Sequence, residues 1–82
     1  MGSYRRTHIR LLTMSDVNEF IKILNLSNDS FRLETADCEH KVDAKSLLGV
    51  MYMSAEHGED IYLVNTSNKN GTHPSAICKF YC

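Results

Sequence analysis

From Arg6 to Leu12 the side chains alternate: Thr7, Ile9 and Leu11 fall on one side, His8, Arg10 and Leu12 on the other. A period of two over this length predicts a half-buried strand. The period changes at Thr13-Met14-Ser15-Asp16, which fits a capping box: the Thr13 hydroxyl and the Asp16 carboxylate cover the first free amides of a helix. Val17, Phe20, Ile21 and Leu24 then recur at helical spacing and give that helix one apolar face. Asn25 to Ser30, rich in Asn and Ser, breaks it.

Phe31, Leu33 and Thr35 alternate with Arg32 and Glu34, a second strand. Asp37-Cys38 reads as a turn and His40 to Asp43 as a short third strand, so the pair forms an antiparallel hairpin. Ser46 to Ala55 sets Leu47, Val50, Met51 and Met53 in helical register and predicts a second helix despite Gly49. His57-Gly58 ends it, and Ile61 to Val64 is a fourth strand with Ile61 and Leu63 on one face. Thr72-His73-Pro74 reads as a helix start, since proline at the first helical position loses no needed amide bond. Ala76, Ile77, Phe80 and Tyr81 are the apolar positions of a short third helix. The order β-α-β-β-α-β, with a last α, predicts an α+β fold: an antiparallel four-stranded sheet with helices on one face.

At 82 residues the chain is read as a single domain over 1–82. A chain of this size buries only about 60–65% of the surface its unfolded form exposes, so ligands are expected on the outside. With 43% apolar and 23% charged residues it is an ordinary globular sequence. No run of about 18 apolar residues exists to span a membrane. The basic start Met1-Gly2-Ser3-Tyr4-Arg5-Arg6 leads into a strand rather than an apolar signal core, so a cytoplasmic protein is expected. A net charge of −1 argues against nucleic acid as a partner. Arg5, Arg6 and Arg10 are either a solvated edge or a small phosphate-binding patch. Cys38, Cys78 and Cys82 are an odd set; Cys78 and Cys82 stand one helical turn apart, on one face, and are otherwise reduced thiols. With only His73 near them in sequence, neither a metal site nor a cofactor is expected.

The run Val42-Asp43-Ala44-Lys45-Ser46-Leu47-Leu48-Gly49-Val50-Met51 resembles the HPr family, the small phosphocarrier proteins of the bacterial sugar phosphotransferase system. Members carry V-x-A-K-S-[IL]-[LM]-G-[VL]-[ML] ahead of a glycine, here Gly58, and a fourth strand, here Glu59 to Val64. The resemblance covers residues 7–64 and implies an HPr-like βαββαβα open-faced sandwich. It lapses after Asn65, where the family's G-x-D-E-x-x-A continuation is missing.

It also lapses where the family does its chemistry. A phosphocarrier holds its histidine in G-[IL]-H-[AT]-R-P-A, where the first strand gives way to the first helix. The matching stretch here is Leu11-Leu12-Thr13-Met14-Ser15-Asp16-Val17. Ser15 falls near the histidine's place and Val17 near the arginine's, and Asp16 would repel an incoming phosphate. A serine ester is not the labile phosphoramidate that the transfer needs, so the resemblance implies a protein without the phosphohistidine cycle. The alternative is a working phosphocarrier with a relocated acceptor among His8, His40, His57 and His73. Of these only His73 precedes a helix start that would steady a phosphate.

Ser46 corresponds to the serine that a dedicated kinase phosphorylates in many members. A phosphate there meets free amides and the positive end of the helix dipole, with Lys45 beside it. The plain reading of Ser46 is an N-cap. Leu47, Leu48 and Met51 correspond to the family's exposed docking surface; the plain reading is core, and a mixed outcome is expected, with Leu48 or Met51 partly exposed and Val50 inside. The function expected is a non-catalytic regulatory or adaptor protein, docking phosphotransferase-system enzymes or a transcriptional regulator and switched at Ser46 by the serine kinase. No constellation for an independent enzyme stands out.

Overall fold

The computed structural model describes residues 4–82; Met1, Gly2 and Ser3 lie outside the described residues. The elements run β1 (Arg6–Ile9), α1 (Met14–Leu24), β2 (Phe31–Thr35), β3 (Lys41–Asp43), α2 (Leu47–His57), β4 (Ile61–Asn65) and a 3-10 helix (Ser75–Phe80). The four strands form one antiparallel sheet in the order β1-β4-β2-β3. The fold is α+β with an open antiparallel sheet.

Register sorts the side chains onto two faces. Ile9, Ile61 and Thr35 stand in one cross-strand row, and Thr7, Leu63, Leu33 and Val42 in the next. These rows meet the helices, and Ile9, Ile61, Leu33 and Leu63 pack with Val17, Phe20 and Leu24 of α1 and with Val50 and Met53 of α2. The alternate rows, His8-Tyr62-Glu34-Lys41 and Arg6-Val64-Arg32-Asp43, form the opposite face. There Arg6 and Arg32 each contribute an Nε to Glu34, at 3.1 and 2.9 Å, and cover its carboxylate almost completely. The Arg6 guanidinium also lies 4.3 Å over the Tyr62 ring. Val64 is buried beneath these groups, outside the main core. Arg6 is thus committed to the sheet rather than to a phosphate-binding cluster with Arg5 and Arg10.

β1 stops at Ile9, three residues short of the alternating pattern. The next two amides leave the sheet: Arg10 donates to the Phe80 carbonyl and Leu11 to that of Gly58, both at 2.9 Å. Leu11 still packs inward and Leu12 outward, so the alternation survives beyond the strand pairing. In α1 the apolar face is Val17, Phe20, Ile23 and Leu24, with Ile21 at its half-buried margin. The β2–β3 connection turns at Cys38, whose φ of 64° is left-handed; β3 begins at Lys41, one residue after the expected start.

α2 starts one residue after Ser46, its N-cap, and runs two residues past Ala55. Gly49 fits because the helix lies close on β3: a Cβ there would stand 3.0 Å from the Cβ of Val42. The third helix is a 3-10 turn. Pro74 is its N-cap, not its first residue, and only Ile77 and Phe80 are buried; Ala76 and Tyr81 face out. Two core contacts hold this tail without needing α-helical register, one of them Phe80 edge-on to Phe20 at 5.7 Å. Cys82 lies beyond the helix, so the expected shared face with Cys78 does not form. All three cysteines are exposed and unpaired.

Candidate functional site

The two helix starts that the sequence singles out differ in how their amides are used. At α1 the capping box is complete: the Thr13 hydroxyl accepts from the Asp16 amide at 3.0 Å. The Asp16 carboxylate turns back and accepts from the amides of Leu12 and Thr13, at 3.1 and 3.3 Å. A carboxylate therefore stands beside the start of α1, where its charge opposes an incoming phosphate. Ser15 lies on the outer side of α1, bordering a recess with Asn18, Glu19, Lys22 and Ile23, and Val17 is fully buried. No arginine stands in that recess.

At α2 the Ser46 side chain accepts from the Gly49 amide at 3.3 Å, and no acidic residue lies in the first turn. The Leu47 and Leu48 amides have no hydrogen-bond partner among the described residues, as is true of the Met14 and Ser15 amides of α1. Ser46 is half-buried. Lys45 is not the free cation the sequence suggested. Its Nζ donates to the Ser27 carbonyl at 2.7 Å, tying the start of α2 to the end of α1.

The same seam is pinned at its other end, where Ser54 Oγ donates to the Leu11 carbonyl at 2.7 Å. α1 and α2 accordingly run antiparallel. Val50 is fully buried, Met51 packs at the margin of the core, and Leu47 and Leu48 are 47% and 78% exposed. The mixed outcome expected for these residues holds. Leu12 and Met14, about half exposed, lie at the start of α1, at the end of the seam away from Leu47 and Leu48, and Tyr52 is exposed midway along α2. Composition alone does not single out Leu12 and Met14; the alternation of β1, which points Leu12 away from the core, does.

The four histidines separate into two kinds. His8 stacks on Tyr62 at 4.7 Å and its Nε2–H donates to the Glu59 carbonyl. His73 donates from Nδ1 to the Gly71 carbonyl, which leaves Nε2 to accept from the Tyr81 hydroxyl at 2.6 Å. Both ring nitrogens of His73 are thus engaged, and it precedes a 3-10 turn rather than an α-helix. His40 and His57 come together with Tyr52 at the β3 edge, their ring nitrogens unpartnered among the described residues.

The acidity of Asp37 is displaced. Its carboxylate accepts from the Thr35 hydroxyl and the Glu39 amide, which holds its pKa below the usual carboxylate value of 3.8, with His40 adding a favourable charge. A wide-mouthed cavity of about 470 Å³ opens beside β2 and β3, lined in part by Asp29, Arg32, Lys41, Asp43 and Lys45. Its charges are largely spent internally: Asp29 accepts from Asn65, Asp43 from the Lys45 amide, and Arg32 pairs with Glu34. Among the described residues no three His, Cys, Asp or Glu side chains converge on a metal position, and no helix is long and apolar enough to cross a membrane. No family model, curated protein or solved structure matches the chain.

Proposed function

We propose that this chain is an HPr-like adaptor of the sugar phosphotransferase system that docks partner proteins through α2 and does not carry phosphate on histidine. The reading rests on the Val42–Met51 run and on the βαββαβ order, which agrees with the open-faced sandwich that the run implies. One observation carries the functional half. The start of α2 presents Ser46 as its N-cap, with no acidic residue in its first turn and with Leu47 and Leu48 exposed beside it, whereas the first turn of α1 carries Asp16. An anion in the first turn of α2 meets the positive end of the dipole without the acidic side chain that the first turn of α1 holds.

On this reading Leu47, Leu48 and Met51 contact a phosphotransferase-system enzyme or a transcriptional regulator in the cytoplasm. Phosphorylation of Ser46 by the serine kinase changes that contact by placing two negative charges beside the leucines. Lys45 contributes by holding the start of α2 rather than by neutralising the phosphate. Ser15 takes no part in phosphoryl transfer.

The test is chemical-shift mapping of the labelled protein against the system's first enzyme and against the serine kinase. Changes clustered on Leu47, Leu48 and Met51, and lost in Leu48→Glu, support the docking face. Changes centred on Ser15 or His73, or none with either protein, overturn it.

A further inference from the structure

We propose that His40 and His57 form a two-imidazole site for a tetrahedral divalent transition ion of the Zn²⁺ type, at the edge where α2 ends against the β2–β3 hairpin. Three elements bring the pair together. The hairpin fixes His40: its amide donates to the Thr35 hydroxyl, and its carbonyl accepts from the Thr35 amide at 3.1 Å. His57 is the last residue of α2, and Tyr52, also on α2, stands beside both rings.

The spacing suits a shared metal. A Zn–N bond of about 2.0–2.1 Å places the ion about 3.2 Å from an imidazole centroid, given a nitrogen about 1.1 Å from that centroid. Two such rings meeting at a tetrahedral angle then have centroids about 5.2 Å apart. The His40 and His57 centroids are 5.2 Å apart. Tyr52 is nearly equidistant from both, at 6.2 and 6.3 Å, and walls one side.

The surroundings favour a cation. His57 lies at the C-terminal, negative end of the α2 dipole. Neither imidazole is spent on another hydrogen bond, in contrast to His8 and His73. Neutral imidazole suits Zn²⁺, Cu²⁺ and Ni²⁺ over Mg²⁺ or Ca²⁺, and water fills the remaining positions. With two protein ligands the ion is exchangeable, and it fastens the end of α2 to the hairpin.

The experiment is a Zn²⁺ titration of the intact, reduced chain, followed at the ring protons of all four histidines. His40 and His57 are expected to respond together, on one isotherm, while His8 and His73 stay still. His57→Ala weakens the response at His40 by about tenfold or more, because the second ligand is no longer held at high effective concentration. Cys38→Ser leaves it unchanged, and Mg²⁺ at the same concentration gives none. Unlinked responses at His40 and His57, an unaltered His40 isotherm in His57→Ala, or Zn²⁺ held by the cysteines alone would overturn the site. An unchanged methyl spectrum shows that each variant is folded.

Discussion

The carboxylate of Asp16 accepts a hydrogen bond from the backbone amide of Leu12 at 3.1 Å and a second from that of Thr13. One side chain therefore closes the first helix start against anions and stabilises it at the same time. Asp16→Ala is expected to destabilise the fold by about 1 kcal/mol, the usual worth of a cap. Urea denaturation measures it, and an unchanged midpoint would remove Asp16 from the cap.

Ser46→Ala loses the Gly49 amide's acceptor and is expected to cost about 1 kcal/mol. Ser46→Asp restores an acceptor and adds a negative charge ahead of a first turn with no acidic residue, so it retains wild-type stability or exceeds it slightly. Equal losses in both variants, in paired denaturation curves, would show that an anion is not accommodated there.

Gly49→Ala improves helix propensity by about 1 kcal/mol. The new Cβ meets the Val42 Cβ at 3.0 Å, and that atom is fixed to the β3 backbone. Overpacking of this kind costs about 1–3 kcal/mol, so a net loss of stability is expected. A higher melting temperature for the variant would mean that α2 does not lie this close to β3.

Glu34→Gln leaves two guanidinium groups facing an amide under a nearly closed surface. Breaking a buried pair costs about 3–5 kcal/mol, but the arginines are about one-third exposed, so about 2 kcal/mol is expected. A loss below a few tenths of a kcal/mol in denaturant would indicate a hydrated, open face.

Asp37 supplies a pH dependence whose sign follows from its lowered pKa. The folded state holds fewer protons than the unfolded one, so its contribution is complete above the unfolded carboxylate value. It is lost as pH falls through the depressed folded value. In Asp37→Asn the acid limb of the stability curve flattens below the usual carboxylate value of 3.8. An identical acid limb in the variant would assign that dependence to other carboxylates.

Local signals in the chain carried much of the fold. The capping box at Thr13 and Asp16, the alternation of Phe31 to Thr35 and the register of Val50 and Met53 all depend on near neighbours, and each matches the structure. What the chain did not display depends on distant partners. Glu34 alternates like a solvent-facing residue and is buried by Arg6, 28 positions away. Asn65 resembles loop sequence but is a buried hub, donating to Asp29 and to the Thr72 carbonyl and accepting from the amides of Ser67 and Asn68. Lys45 reads as a cation for Ser46 until Ser27 is brought beside it. The tail became a 3-10 turn because Ile77 and Phe80 are held by the core and by the end of β1. At the candidate site, the exposure of Leu48 follows from helix register, whereas Leu47, which the register sets with Val50, is exposed as well, and the meeting of His40 and His57 follows only from packing α2 against the hairpin.

The most direct test of the central claim is intact-mass analysis of the protein after two incubations, one with phosphoenolpyruvate and the system's first enzyme, the other with ATP and the serine kinase. An unchanged mass in the first and a single phosphate-sized gain in the second, mapped to Ser46, is the predicted result. An acid-labile phosphate on any histidine in the first incubation would contradict it.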